Sequence, residues 1–162
     1  MEIRDDEDED EEREEDRPVR RVDEVLRILV DRLRADVAGR RLEQVDRAEI
    51  DLRRCIEQNA AGLFTDPELA LLPLEQQLDP VGAVARVASA DVLLLVLPIF
   101  LDDARWHGVD DEDRRLRVRF VVALSRAAVR LPELQPYSSG CAIWDIEAAV
   151  QRAHADLRRR RE

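Results

Sequence analysis

The chain has 162 residues, of which 45% are apolar and 4% aromatic, and its net charge at pH 7 is −11. This length suits one domain, whose core must consist of aliphatic side chains. The longest uncharged apolar run, Val92 to Leu101, is about half of the roughly 20 residues that cross a bilayer, and the first residues lack the pattern of a signal peptide. We therefore expect a cytoplasmic protein with no membrane association.

The negative charge is concentrated in the first 16 residues. They contain twelve acidic residues and two arginines, a net charge of −10, whereas the rest of the chain carries −1. This composition predicts a disordered acidic tail over residues 1–17, followed by a single helical domain over residues 18–162. The tail is either a solubilising segment or an electrostatic arm that covers an arginine-rich surface. All 26 basic residues are arginine, which is typical of a GC-rich bacterial genome.

Apolar residues three and four apart predict the first two helices. The first runs from Val22 to Val37 and stops at Gly39, and the second begins near Arg41 and ends near Gly62. The short break between them predicts an antiparallel helical hairpin.

The next segment, residues 64–79, has a less regular pattern. Thr65 or Asp66, followed by Pro67, is typical of a helix N-terminus. The segment contains too many leucines for a free loop, so we expect one or two short helical turns lying on the core. The leucines are Leu69, Leu71, Leu72 and Leu74.

A third long helix is predicted to begin at Asp79-Pro80, which repeats the cap-and-proline pattern. From Val92 onward it is apolar on every side, as buried helices are. Pro98 predicts a kink or the start of a new helix, because proline lacks an amide donor. A buried strand over residues 92–97 is the alternative. We expect this element to end at Trp106-His107-Gly108.

Two further helices complete the predicted fold. One runs from Asp110 to Leu131 and begins with acids that favour a helix N-terminus, although residues 116–122 also alternate like a strand. The last is capped by Ser138 or Ser139. The predicted fold class is all-α, an irregular bundle of five or six helices around Val92–Leu101. An α/β fold with strands near 92–97 and 116–122 is the alternative.

Few residues suggest catalysis. Cys55 falls on an apolar helix face, where a cysteine is typically a small buried hydrophobe. Cys141 lies at a predicted helix N-terminus, which favours the thiolate. Only His107 is available as its base, because His154 is roughly 20 Å away on the same helix.

The sequence also lacks the patterns of metal and phosphate sites. The acidic stretch 102–113 does not fit a calcium loop, and no phosphate-binding loop is present. We expect no metal, no cofactor and no catalytic residue. An enzyme that uses Cys141 or His107 remains an alternative.

Arginines and aromatic residues are the candidate binding residues, because both are common anchors of interfaces. The arginines form either a solvated face paired to acids or a patch that binds anions. The candidates are Arg114, Arg115, Arg117, Arg119, Trp106, Tyr137 and Trp144.

From these residues we expect a non-enzymatic interaction or regulatory protein that acts through a helical surface and the acidic arm. Its partner is a protein, either a different one or a second copy of this chain. The alternative is a nucleic-acid-associated protein whose arginine surface is inhibited or mimicked by the tail. The near-neutral body and the few aromatic residues argue against that alternative.

Overall fold

The computed structural model describes residues 20–102, 110–134 and 140–160, so the predicted tail lies outside the described residues. Within these ranges the chain forms seven α-helices and no strand, which confirms the all-α prediction and contradicts the α/β alternative. The helices are α1 (Val22–Ala35), α2 (Arg40–Asn59), α3 (Asp66–Leu78), α4 (Ala83–Val87), α5 (Val92–Phe100), α6 (Asp111–Ala128) and α7 (Cys141–Arg159). Short 3-10 helices follow α2 at Ala60–Leu63 and α6 at Pro132–Leu134.

The predicted hairpin of α1 and α2 is present. Each helix buries one apolar stripe, and Gly39 connects them with a φ of 56°, a conformation that favours glycine. Ion pairs connect the two antiparallel helices. Arg53 of α2 contacts Asp23 near the start of α1 at 2.6 Å, and Arg34 near the end of α1 contacts Glu49 at 2.6 Å.

The region between α2 and α5 differs from the prediction in two ways. Residues 66–78 form a complete helix, α3, rather than one or two short turns. The predicted third long helix is divided into α4 and α5, with Gly82 rather than Asp79 preceding α4. The division follows from backbone pairing, because the carbonyl of Ala88 accepts a hydrogen bond from the Val22 amide at 2.9 Å and the Ala90 amide donates to the Arg20 carbonyl at 3.0 Å. These bonds hold the chain extended between the two helices.

Helix α5 lies at the centre of the bundle, as expected. It packs against α1, α2, α6 and α7, and most of its side chains are buried. It continues through Pro98 and ends at Phe100, earlier than the predicted end near Trp106. No helix in the described ranges is long and apolar enough to cross a bilayer.

The last two helices cover one side of α5. The carboxylate of Asp110 accepts a hydrogen bond from the Asp113 amide at 2.8 Å and so caps α6, which ends at Ala128 instead of Leu131. Helix α7 begins at Cys141 after Gly140, and the predicted caps Ser138 and Ser139 lie outside the described residues. Helices α1 and α2 pack on the same core, whereas α3 packs mainly against α4 and lies at the periphery of the described bundle.

Candidate interaction surface

The four candidate arginines of α6 point in different directions. Arg117 is buried, lies 3.2 Å from Asp51 of α2 and has its guanidinium 5.5 Å from the centre of the Phe100 ring. This contact joins α2, α5 and α6, so Arg117 is a structural residue. Arg114 shares a small cavity with it against α7.

The other two arginines lie toward solvent. Arg115 is within 3.9 Å of Asp111, one turn earlier on α6, which is a weak exposed ion pair. Arg119 is exposed beside a groove between α1, α2 and α6. The four arginines therefore do not form one patch, because Arg114 and Arg117 face α5 and α7 whereas Arg119 faces the opposite side of α6.

Of the three candidate aromatic residues, the structure places one. Trp144 lies in the first turn of α7 and is 76% exposed. Trp106 and Tyr137 lie outside the described residues.

The two cysteines differ in their exposure to solvent. Cys55 is buried, as its position on the apolar face of α2 predicted, whereas Cys141 is exposed at the first residue of α7. His107 lies outside the described residues. Over residues 20–102, 110–134 and 140–160 no cluster of three or more His, Cys, Asp or Glu side chains is arranged to hold a metal ion.

The most unusual surface is formed by α3, whose leucines face solvent. The prediction that these leucines lie on the core is wrong for all but Leu72, which is partly buried against it. Of the ten large apolar side chains that the described residues expose, six lie between Leu63 and Val81. Leu71, Leu74 and Leu78 are 45%, 58% and 83% exposed. Their spacing of three and four places them on one side of α3, and we call these three residues the α3 leucine face.

The side of α3 next to the α3 leucine face, about a quarter turn around the helix, is held to the body by polar contacts. Glu68 is the only buried residue of α3. Its carboxylate accepts hydrogen bonds from the amide and the hydroxyl of Thr65, both at 2.8 Å, and from the amide of Ser89 at 2.7 Å. The contact with Thr65 caps the start of α3, and the contact with Ser89 ties it to the extended segment between α4 and α5.

The protonation of Glu68 reflects this environment. Burial alone raises the pKa of a carboxyl group, but the hydrogen bonds from Thr65 and Ser89 outweigh burial and hold the pKa of Glu68 below its ordinary value. The carboxylate is therefore ionised at neutral pH, and all three bonds to it are charge-assisted.

A second polar contact holds the other end of α3. The guanidinium of Arg86 in α4 forms an ion pair with Glu75 and donates hydrogen bonds to the carbonyls of Asp79 and Val81 at 2.6 and 2.7 Å. One arginine thus closes the turn between α3 and α4. Glu68 and Glu75, seven residues apart, lie on the same side of α3, which faces the body.

The surroundings of the α3 leucine face carry negative charge. Helix α3 contains Asp66, Glu68 and Glu75 and no basic residue, and Asp79 follows it. Arg86, which lies next to it, is already engaged by Glu75 and lies 3.7 Å from Asp79. The surface is therefore a row of leucines with acidic groups around it.

A helical wheel of the sequence contains the signal for this surface. Once residues 66–78 are treated as one helix, Glu68, Leu72 and Glu75 fall on one side and the three leucines on another. The helical wheel does not predict which side faces the body. That orientation depends on the hydrogen bond from the Ser89 amide to Glu68, which joins residues 21 positions apart. Hydrophobicity alone favours the wrong side.

No protein-family model, no curated protein and no solved structure matches this chain.

Proposed function

We propose that this chain is a non-enzymatic interaction protein and that a partner protein binds the α3 leucine face. The observation that carries the proposal is the orientation of α3, which directs Glu68 toward the body and Leu71, Leu74 and Leu78 toward solvent. A contiguous apolar surface of this kind on a soluble domain is typical of a binding site.

The chemistry of the α3 leucine face also supports partner binding. Burial of a leucine side chain contributes about 1.5–3 kcal/mol, so three exposed leucines represent binding energy that the folded chain leaves unused. Their spacing along α3 suits a partner that presents an apolar groove or a second helix. The acidic groups of Asp66 and Asp79 at the two ends of α3 favour basic residues at the rim of the partner.

The test compares two exposed residues with the same accessibility. Leu74 on α3 and Ile50 on α2 are both 58% exposed, so Leu74→Asp and Ile50→Asp each place a carboxylate at an equally accessible position. The unaltered chain and the two variants serve as baits in parallel captures from cells that produce the protein, and bound proteins are quantified by mass spectrometry.

We expect a protein that the unaltered chain and the Ile50→Asp variant bind equally and that the Leu74→Asp variant loses at least about tenfold, which corresponds to about 1.4 kcal/mol. A protein that the Leu74→Asp variant retains contradicts the assignment to α3. Baits that bind no protein contradict the interaction function.

The two alternative functions that the sequence leaves open, an enzyme and a nucleic-acid-associated protein, predict different experimental results. An enzyme that uses Cys141 or His107 loses activity on substitution of these residues and not on substitution of Leu74. A nucleic-acid-associated protein binds through arginines, so its affinity falls steeply with salt, whereas apolar binding to the α3 leucine face changes little with salt.

A further inference from the structure

A second surface, of different chemistry, lies on the outer side of α6. Residues 114–130 contain six arginines and no acidic residue. Arg119, Arg126 and Arg130 are exposed, and none of the three forms an ion pair with any residue that the structure describes. A spacing of seven places Arg119 and Arg126 on one side of α6, and Arg130 follows just beyond its last turn. We call these three residues the α6 arginine face.

An open groove adjoins the α6 arginine face. It lies between α1, α2 and α6, has a volume of about 300 Å³ and has Arg41 and Arg119 along it. Its apolar walls consist of Leu33, Val37, Val45, Leu116, Phe120 and Ala123. Among the described residues that line it, Asp36 is the only acidic one. A ligand that suits both features is rich in carboxylates and ends in a few apolar side chains.

The chain itself contains a segment of this chemistry. Residues 1–16, which we call the acidic arm, carry a net charge of −10, and their apolar side chains are Met1 and Ile3. We propose that the acidic arm binds the α6 arginine face of its own chain and that Met1 and Ile3 cover the groove. The carboxylates of residues 5–12 then neutralise arginines that form no ion pair with any acid in residues 20–102, 110–134 or 140–160.

The length of the acidic arm permits this contact. The described chain begins at Arg20, directly before α1. Helix α1 has 14 residues and is therefore about 21 Å long. Two of the residues that line the groove lie near the far end of that helix, Leu33 in its last turn and Val37 two residues beyond it. Sixteen extended residues span about 50 Å, so the start of the chain reaches the groove with length to spare. Covalent attachment raises the local concentration of the arm to roughly the millimolar range.

The charges elsewhere favour the α6 arginine face over other positions for the arm. The α3 leucine face is bordered by Asp66 and Asp79, which repel an acidic segment. A nucleic acid is the other polyanion that arginines attract, but the body has a net charge of about −1. Phe120, the one aromatic residue of α6, is buried and offers no ring on which a base could stack. We therefore assign the surface to the arm.

The experiment uses the full chain with a spin label near its N-terminus. Glu2→Cys carries the label and Cys141→Ser removes the exposed thiol, while Cys55 is buried and does not react. At about 50 mM salt we expect the amide NMR signals of residues 116–126 to lose at least about half of their intensity. At about 1 M salt, where charges are screened over roughly 3 Å, the intensities return.

Matched double substitutions identify the binding arginines. Arg119→Glu with Arg126→Glu abolishes the broadening of α6, whereas Arg152→Glu with Arg158→Glu on α7, which changes the net charge equally, leaves it unchanged. Broadening that is spread evenly over the surface, or that persists in the α6 double variant, overturns the proposal.

Two further measurements exclude other occupants of the surface. Mixing spin-labelled chains with isotope-labelled chains that carry no spin label reveals contacts between copies, and broadening of equal strength in that mixture assigns the arm to a second copy instead. Displacement of the arm by an equimolar single-stranded DNA of roughly 20 nucleotides at about 150 mM salt shows that the arm does not hold the surface. Either result overturns the proposal. The α3 leucine face takes no part in the contact between the acidic arm and the α6 arginine face. Failure of this proposal therefore leaves the proposed binding at α3 unaffected.

Discussion

Helices α1 and α3 are of similar length but face the body in opposite ways. In α1 every buried residue is apolar, and Leu26, Leu29 and Val30 have no exposed area. In α3 the buried residue is Glu68, and Leu74 and Leu78 are mostly exposed. Helix α1 is therefore held by the hydrophobic effect, whereas α3 is held by charge-assisted hydrogen bonds and by Leu72.

This difference teaches that an apolar stripe does not by itself specify where the core lies. The stripe of α1 is part of the core, and the stripe of α3 is exposed to solvent. Because polar contacts orient α3, its leucines do not need to contribute to folding, and substitutions in the two helices are expected to have different consequences.

The largest expected difference concerns leucine truncation. Leu29→Ala in α1 removes a fully buried side chain and is expected to lower the free energy of unfolding by about 2–5 kcal/mol. Leu74→Ala in α3 is expected to change it by less than about 0.5 kcal/mol. Urea unfolding followed by circular dichroism measures both. Equal losses of stability would show that α3 buries its leucines as α1 does.

The second prediction concerns the contact that orients α3. Glu68→Ala removes the acceptor for Thr65 and Ser89, and losing a cap and a partly buried hydrogen bond costs about 1–2 kcal/mol. This corresponds to a roughly 5- to 30-fold increase in opening of α3. Hydrogen exchange is expected to accelerate in α3 and to stay unchanged in α1.

The Glu68→Gln variant serves as the control for that experiment, because its amide oxygen still accepts one bond without charge. Its exchange rates in α3 are expected to lie between those of the unaltered chain and the Glu68→Ala variant. An unchanged α3 in both variants contradicts the role of Glu68 as the anchor.

The third prediction concerns pH. Because the pKa of Glu68 is lower in the folded chain than its ordinary value of 4.5, ionisation of Glu68 stabilises the docked α3. This stabilisation is fully present above pH 4.5 and is lost as the pH falls through the lowered pKa. NMR titration of the Glu68 carboxyl carbon is expected to give a midpoint below 4.5, together with release of α3 over the same range. In the Glu68→Gln variant the docking of α3 is expected to lose this pH dependence.

The sequence predicts α1, α2, α6 and α7 because their apolar stripes coincide with buried faces, and it predicts α5 as the all-round apolar part of a longer helix. It does not predict the division between α4 and α5, because Ala88 is withdrawn from the helix by a bond to Val22, 66 residues earlier. The orientation of α3 likewise depends on Ser89. In both cases the structure depends on a hydrogen bond from a backbone amide to a residue far away in the sequence. The periodicity of apolar residues carries no information about such bonds.

The candidate surface was harder to predict than the fold. The sequence singled out the arginines of α6, and the structure buries Arg117 among them while it leaves Arg119 exposed. A helical wheel cannot separate these roles without the position of Asp51, which pairs with Arg117. The excess of leucines in residues 64–79 predicts that Leu71 and Leu74 lie on the core, whereas the structure exposes both.

The smallest expected effect is that of a charged substitution on the α3 leucine face. Leu74→Asp and Ile50→Asp are each expected to change the free energy of unfolding by less than about 0.5 kcal/mol, because both side chains are 58% exposed. Thermal unfolding of both variants checks this expectation. A large loss of stability for Leu74→Asp alone would show that this leucine supports the fold.

Photo-crosslinking from α3 in living cells tests the proposed function most directly. The photoreactive amino acid benzoylphenylalanine replaces Leu74 in one chain and Ile50 in another, since both positions are equally exposed. The account expects a discrete covalent adduct with a partner protein from position 74 and none from position 50. Adducts from position 50 alone, or from neither position, would contradict the claim that the α3 leucine face binds a partner.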